Sequence, residues 1–115
     1  MNMYEKSLET LNKSLEIDPN NAVALSHRGA TYFQMNLYEK SLANLDDSLE
    51  IEPTNAFALS YRGATYRKMD MYEKSLADLN KSLEIDPSDA FALKIRGKVY
   101  YMMKRYGEAL ADFNK

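Results

Sequence analysis

The sequence contains no cysteine and only one histidine, which removes the residues that several kinds of chemistry need. Without cysteine there is no disulfide framework, no thiol nucleophile and no thiolate metal site, and this fits a reducing compartment. The opening stretch MNMYEKSLET has no apolar run typical of a signal peptide. No segment approaches the roughly 18 apolar residues of a membrane span. We therefore expect a cytoplasmic or nuclear protein.

The charges of the chain are almost balanced. Lys and Arg number 15 against 17 Asp and Glu, a net charge of -2, which favours neither nucleic acid nor an anionic membrane as a partner of the whole protein. Apolar residues make up 45% and charged residues 28%, which is typical of a globular chain. We interpret residues 1–115 as a single domain.

One segment occurs three times almost verbatim, and a fourth copy is cut short. Its tyrosines are 34 residues apart, at positions 4, 38, 72 and 106. Cutting before each Met-x-x-Tyr gives units 1–34, 35–68 and 69–102 and a partial unit 103–115. A fixed period of this size predicts stacked helical or mixed units. Copies this similar indicate recent duplication or deliberate repetition, so a designed sequence is one of the two possibilities.

Each unit contains two helical patterns and no strand alternation. Tyr38, Leu42, Leu45 and Leu49 form one apolar stripe at spacings of four, three and four. A proline ends each such helix, because it lacks an N–H group and disfavours helical geometry in the preceding residue. The prolines are Pro19, Pro53 and Pro87. We predict about seven helices, at 2–17, 22–35, 38–51, 56–69, 72–85, 90–103 and 106–115, with neighbours packed antiparallel.

The period, the two helices per unit, a glycine near aromatic residues and the closing proline together resemble the tetratricopeptide repeat (TPR) family. The resemblance covers the whole chain. It rests on Leu25, Leu59 and Leu93, on Gly29, Gly63 and Gly97, on Tyr32, Tyr66 and Tyr100, and on the three prolines. It implies an all-α fold, a right-handed α-solenoid of antiparallel helix pairs. We call the helices that carry the glycines first-type and those that begin near the periodic tyrosines second-type.

Two repeated positions are interpreted as structural. A glycine inside a helix costs roughly 1 kcal/mol relative to alanine, so three copies predict that another helix passes close by. Before each glycine stands Arg28, Arg62 or Arg96, where the family has leucine. The family's geometry implies that each arginine lies on a repeated tyrosine and pairs with the residue 16 positions later. These partners are Asn44, Asp78 and Asp112.

The resemblance also implies a concave groove that binds a peptide, lined by the first-type helices. Its predicted residues in the second and third units are Phe57, Ser60, Ala64, Arg67, Lys68, Phe91, Lys94, Lys98, Tyr101 and Met102. Val23, Ser26, Ala30, Phe33 and Gln34 are the corresponding residues of the first unit. The basic end suits a partner with acidic residues or a C-terminal carboxylate, and the alternative is that these charges only form the solvated face of the last helix. The family's carboxylate clamp is incomplete, since Ser26, Ala30 and Ala64 replace Lys or Asn, so chaperone binding is not predicted.

No constellation for catalysis is present. His27 has Tyr61 and Ile95 as its repeat equivalents, and no acidic pair stands near a histidine or cysteine in the pattern. The chain also lacks a glycine-rich phosphate loop and a nucleophile motif. We therefore expect no enzyme activity, no cofactor and no metal.

The two ends of the array predict a further interaction. Both terminal helices are of the second type, and arrays usually need polar capping units. Leu8, Leu11, Leu15, Leu110 and Phe113 are expected to expose apolar surface that self-association would bury. The sequence thus favours a non-catalytic module or scaffold for protein–protein interaction. The alternative is an engineered or recently duplicated structural scaffold whose main property is stacking and self-association.

Overall fold

The computed structural model describes residues 3–114, and every regular element in that part of the chain is an α-helix. The helices are α1 (Met3–Ile17), α2 (Ala22–Gln34), α3 (Tyr38–Ile51), α4 (Ala56–Lys68), α5 (Tyr72–Ile85), α6 (Ala90–Met102) and α7 (Tyr106–Phe113). The all-α prediction is confirmed. The first-type helices α2, α4 and α6 end one residue earlier than expected. The predicted end points at Asn2 and Lys115 lie outside the described residues.

Polar side chains fix the starts of the first-type helices. Asn21 Oδ1 accepts a hydrogen bond at 3.1 Å from the backbone N–H three residues later, and Asn55 and Asp89 make the equivalent bond. Each bond satisfies one of the donors that a helix start leaves without an intrahelical partner. Because the prolines before them have already ended α1, α3 and α5, the chain turns within four residues.

A residue with left-handed backbone follows each first-type helix. Asn36 and Asp70 have φ values of 64° and 60°, and each accepts a hydrogen bond from the tyrosine hydroxyl two residues later. Lys104 adopts a φ of 63° in the third turn. Asn and Asp tolerate this conformation better than a long side chain does. The turn before α7 therefore carries backbone strain that the other two turns largely avoid.

The closest packing in the array lies between each first-type helix and the second-type helix that follows it. A Cβ atom on Gly29 would stand 2.6 Å from Leu45 Cγ, and one on Gly63 would stand 2.7 Å from Leu79 Cγ. Ser41 Oγ donates to the Gly29 carbonyl oxygen at 2.8 Å. Since Leu45 and Leu79 are both fully buried, the glycines allow two helices to approach over a filled core, as the sequence predicts.

The three arginines connect neighbouring pairs of helices. Arg28, Arg62 and Arg96 each donate from Nε to the residue 16 positions later, at 2.7, 2.7 and 2.8 Å, so the predicted pairing is confirmed. Each also donates from Nη1, at 3.0 Å, to the residue 16 positions earlier. The guanidinium groups of Arg62 and Arg96 lie 5.9 and 5.8 Å from the ring centres of the tyrosines four residues later. One side chain thereby joins three helices.

The arginine partners differ along the chain. Arg28 bonds to two amides, Asn12 and Asn44, whereas Arg62 bonds to two carboxylates, Asp46 and Asp78. The hydrogen bond to Asp78 raises the pKa of Arg62 above its ordinary value. The middle arginine is thus held by ionic bonds and the first one by neutral acceptors.

The expected exposure of the end residues is correct at one end only. Leu110 and Phe113 on α7 are exposed, 61% and 49%. Leu8 and Leu11 are half-buried. The expectation is wrong for Leu15, which is buried, because α1 turns this side chain toward α2 and forms one core cluster with Ala24 and Leu25.

Replacing Gly63 with alanine tests the close packing of α4 on α5. We expect Gly63→Ala to lower the free energy of unfolding by about 1–2 kcal/mol, because overpacking around the enclosed Leu79 outweighs the gain in helix propensity. Gly107→Ala is the matched control, since a Cβ there has no neighbour within 4 Å. Urea unfolding followed by circular dichroism measures both. Equal stability of the two variants would contradict the packing argument.

Replacing the middle arginine tests the bonds between helix pairs. We expect Arg62→Leu to lower the free energy of unfolding by about 2–3 kcal/mol, because it leaves the buried Asp78 carboxylate unpaired. Arg28→Leu should cost only about 1 kcal/mol, since its acceptors are neutral amides. Urea titration of each variant gives the comparison, and the double variant Arg62→Leu/Asp78→Leu should recover stability relative to Arg62→Leu. Unchanged or higher stability of Arg62→Leu with Asp78 intact would refute the pairing argument.

Candidate functional site

The first-type helices form the inner side of the array. In the described residues α2 contacts α4 and α4 contacts α6, whereas the second-type helices α1, α3, α5 and α7 do not contact one another. In a curved stack of helices, those on the inner side are close together and those on the outer side are farther apart. The contacts therefore place α2, α4 and α6 on the inner side. We call the surface of α2, α4 and α6 that faces away from the second-type helices the inner face.

A row of aromatic rings crosses the inner face. His27 lies 4.6 Å from Phe57, Phe57 4.8 Å from Tyr61, and Tyr61 4.7 Å from Phe91, measured between ring centroids. Phe33 meets Tyr61 edge-on at 5.7 Å. Burial raises the pKa of the Tyr61 hydroxyl. Contacts of this kind stabilise beyond the area they bury, so the row connects all three first-type helices.

Sequence reasoning missed this row. The sequence analysis placed Phe57 and Phe91 in the groove, but it took Tyr61 only as a repeat equivalent of His27 and did not connect the rings. The sign that could have found it is the pair Phe57 and Tyr61 four residues apart on one helix, with Phe91 one period after Phe57. Residues four apart lie on the same face of a helix. Residues 34 apart occupy equivalent positions on successive first-type helices, so Phe91 lies on the same face as Phe57.

Four cations lie together on the other half of the inner face. Arg67 and Lys68 come from the last turn of α4, and Lys94 and Lys98 from α6. Desolvation lowers the pKa of Lys98, and the positive charges of Arg67, Lys94 and Lys68 lower it further. The Nε atom of Arg67 is buried and has no hydrogen-bond partner among the described residues. We call these four residues the basic cluster; their mutual repulsion makes them a site for negative charge.

An apolar hollow adjoins the basic cluster. Its volume is about 320 Å³, and Tyr101, Met102 and Phe113 line it together with Arg67 and Lys98. Tyr101 and Met102 are 58% and 51% exposed, although neither is charged. The predicted groove residues at this end are therefore at the surface and close together, with apolar and cationic groups in one place.

Four predicted groove residues are buried, Ser26 and Ala30 in the first unit and Ser60 and Ala64 in the second. Ser60 is 2% exposed and Ala64 is fully buried, so the expectation that they line an open groove is wrong. Ser60 Oγ donates to the carbonyl oxygen of Phe57 at 2.9 Å within its own helix. Neighbouring first-type helices approach so closely that small side chains at their contact are enclosed, and the aromatic row provides the accessible surface instead.

A wider groove, with Lys6 as its one charged lining residue, lies at the other end of the inner face. Its volume is about 700 Å³, and its walls come from α1, α2 and α4. His27, Ala30 and Gln34 contribute from α2, and Phe57 and Tyr61 from α4. The inner face therefore changes along the array from mostly uncharged and aromatic to basic and apolar.

A metal site and a membrane-spanning segment are both absent from the described residues. No three His, Asp or Glu side chains in residues 3–114 come together as ligands for a metal ion would. None of the seven helices has the length and apolar character that crossing a membrane requires.

Comparison with known families gives matches along most of the chain. A model described as tetratricopeptide repeat matches residues 56–89, and a second model of that description matches residues 22–55. A model described as TPR repeat matches residues 1–36. The comparison with curated proteins gives no match.

Several solved structures have the same fold. MamA 41-end from Desulfovibrio magneticus RS-1 is 22% identical with a TM-score of 0.83, over 96% of this chain and 63% of that one. The Arabidopsis OM64 TPR domain is 22% identical with a TM-score of 0.77, over 81% and 77% of the two chains. The second TPR of Spaghetti (RPAP3), bound to the HSP90 peptide SRMEEVD, is 23% identical with a TM-score of 0.77, over 88% and 94%. This chain thus spans just under two thirds of the MamA chain, and the likeness concerns the fold.

Proposed function

The chain belongs to the tetratricopeptide repeat family, and from this premise we propose that it is a non-catalytic interaction module that binds a peptide segment along its inner face. The peptide carries acidic side chains or a free C-terminal carboxylate at the basic cluster. The observation that carries the proposal is the group of four cations around Arg67, whose Nε is buried and has no hydrogen-bond partner within residues 3–114. A carboxylate there gives Arg67 an acceptor and offsets the repulsion that Lys98 experiences.

The surroundings of the basic cluster support a peptide rather than a simple anion. The hollow beside Arg67 and Lys98 has mostly apolar walls, formed by Tyr101, Met102 and Phe113, which suit an apolar side chain next to the acidic one. Farther along the inner face, the aromatic row offers exposed edges of His27 and Phe57. One solved structure of this fold holds the acidic peptide SRMEEVD. That peptide belongs to the other protein, but it is a precedent for an acidic segment on this fold.

Peptide binding can be measured on an array of acidic nine-residue peptides with free C-termini, followed by fluorescence anisotropy of the strongest binder. We expect Lys98→Gln to weaken binding about tenfold, because a charged hydrogen bond contributes about 1.5–3 kcal/mol. Lys81→Gln is the matched control, since Lys81 is exposed on second-type helix α5. Affinity should also fall as salt rises. No binder on the array, or equal affinity of the two variants, would contradict the proposal.

Self-association is the second candidate function, and the exposed residues of α7 favour it. Leu110 and Phe113 lie three residues apart on one face of α7, and Tyr101 and Met102 are exposed nearby on α6. Four large apolar side chains at one end of a small protein form the kind of patch that marks an interface. Self-association through this patch fits a scaffold whose units stack. The interface would include Phe113, which also lines the apolar hollow beside the basic cluster.

Light scattering over a range of protein concentrations tests self-association. We expect the average mass to rise with concentration for the unmodified chain, and Leu110→Glu to remove the rise by placing a charge in the apolar patch. Ala111→Glu adds the same charge at the neighbouring exposed position and should leave the rise in place. A constant monomer mass at high concentration would rule out this second function.

A further inference from the structure

The middle unit contains a balanced group of charges around Tyr66. The guanidinium carbon of Arg62 and the Nζ atom of Lys74 lie 5.9 and 5.8 Å from the centre of this ring. Two carboxylates match the two cations, since Arg62 donates to Asp78 at 2.7 and 2.8 Å and to Asp46 at 3.0 Å. The four charged side chains therefore have no net charge.

The third unit has the same balance with partly different residues. The guanidinium groups of Arg96 and Arg105 lie 5.8 and 4.8 Å from the centre of the Tyr100 ring. Arg96 donates to both oxygens of Asp112 at 2.8 Å, and Arg105 donates to both oxygens of Glu108 at 2.6 and 2.8 Å. Two cations are again matched by two carboxylates.

The first unit has the two cations but not the carboxylates. Lys40 Nζ lies 5.6 Å from the centre of the Tyr32 ring. Arg28 donates from Nε and Nη1 to the amide oxygens of Asn44 and Asn12 at 2.7 and 3.0 Å. The ion pairs found within residues 3–114 involve neither Arg28 nor Lys40. The positive charges of this unit are therefore not neutralised by a carboxylate within 4 Å in that part of the chain.

The amide of Asn44 is the main cause of this difference. Asn44 stands where the other two units have aspartate, and it offers Arg28 one oxygen in place of two. Its Nδ2 atom donates to the backbone oxygen of Lys40 at 2.9 Å. In the other units, Nη2 of the arginine donates to the second carboxylate oxygen. Arg28 therefore keeps an Nη2 group for which Asn44 has no acceptor.

Helices pack on both sides of this group of residues. Arg28 is on α2, and its two acceptors are on α1 and α3, so the group does not depend on where the array begins or ends. Asn44 is 8% exposed and Arg28 is half-buried, whereas Asn12 and Lys40 are exposed. A cation that its neighbours already hold in place loses little conformational freedom when an anion binds. We call Arg28, Lys40, Asn12 and Asn44 the first-unit site.

We propose that the first-unit site binds a ligand with two neighbouring carboxylate groups, one at Arg28 and one at Lys40. The equivalent guanidinium groups hold carboxylates in both other units, which favours a carboxylate over a phosphate or sulfate group. An arginine also binds a carboxylate more strongly than a neutral amide. A free dicarboxylate and a pair of acidic side chains present the same chemistry, and the experiment below separates them. The site is distinct from the basic cluster and does not rest on the proposed peptide binding.

Two-dimensional NMR of the arginine Nε–H groups tests the site in the whole, isotope-labelled chain at constant ionic strength. The probes are succinate and a hexaglutamate peptide that is acetylated and amidated at its ends. We expect the signal of Arg28 to shift and to saturate in the millimolar range. The signals of Arg62 and Arg96 should move only slightly, because their carboxylates are already in place. Saturation with succinate identifies a free dicarboxylate as a ligand, and saturation with the peptide alone identifies acidic side chains.

Variants of the site give the matched comparison. Asn44→Asp supplies the carboxylate that the other units have, so it should weaken binding of the saturating probe about tenfold. The same variant should raise the midpoint of thermal unfolding by about 4 °C. Lys40→Gln should weaken binding about threefold, since it removes one of the two charges. Ala77→Asp adds a negative charge at an exposed position of α5, and Lys98→Gln alters the basic cluster; each should change the affinity less than about twofold.

Several results would overturn the proposal. It fails if the Arg28 signal saturates with neither probe, if the three arginines respond equally, or if Asn44→Asp leaves the affinity unchanged. A larger and tighter response of Arg28 to inorganic phosphate than to succinate would also overturn it, because the site would then not select carboxylates. Loss of peptide binding at the basic cluster in Lys98→Gln, with the Arg28 response retained, would leave the first-unit site supported.

Discussion

The array depends on one steric constraint, the contact between a glycine and a large apolar side chain of the following helix. Leu45 and Leu79 occupy the space that a Cβ on Gly29 or Gly63 would need, and Phe113 does so at Gly97. Glycine weakens each first-type helix by roughly 1 kcal/mol. The close approach allows leucine to be fully buried and serine hydroxyls to reach backbone carbonyls. The pair of helices, rather than the single helix, is thus the stable element.

The arginines add a second level of organisation, because they act between pairs. Each guanidinium bonds forward and backward by 16 residues, so it fixes a first-type helix to the second-type helices on both sides. The geometry repeats in all three units, but the acceptors change from amides at Arg28 to carboxylates at Arg62. A repeat protein's stability is approximately a sum over units and their interfaces. Near-identical units can therefore differ in stability through the partners of one side chain.

Most of the fold could be predicted because its determinants are local or strictly periodic. Each helix is delimited within a few residues by a proline, a capping Asn or Asp and an apolar stripe. Because the units repeat every 34 residues, a contact such as Arg62 with Asp78 recurs at the equivalent positions of the next unit. The inner face was harder to predict. Ser60 and Ala64 are enclosed and Tyr61 joins an aromatic row because of how closely α2, α4 and α6 approach one another, and that distance is set by packing on the second-type helices. The sequence of a single unit does not indicate how closely the first-type helices of neighbouring units approach.

The repeated units also allow equivalent residues to be compared within one molecule. When the same residue type stands at the same position in three units, any difference in burial comes from its neighbours and not from its own chemistry. Leu45 and Leu79 each pack against a preceding first-type helix and are fully buried, whereas Leu11 has no such neighbour within residues 3–114 and is half-buried. Where the residue itself changes, as from the enclosed Ser26 and Ser60 to the exposed Lys94, the inner face becomes basic. Stacking depends on the residues that repeat, so the positions at which the units differ in residue type are where this fold can recognise a partner.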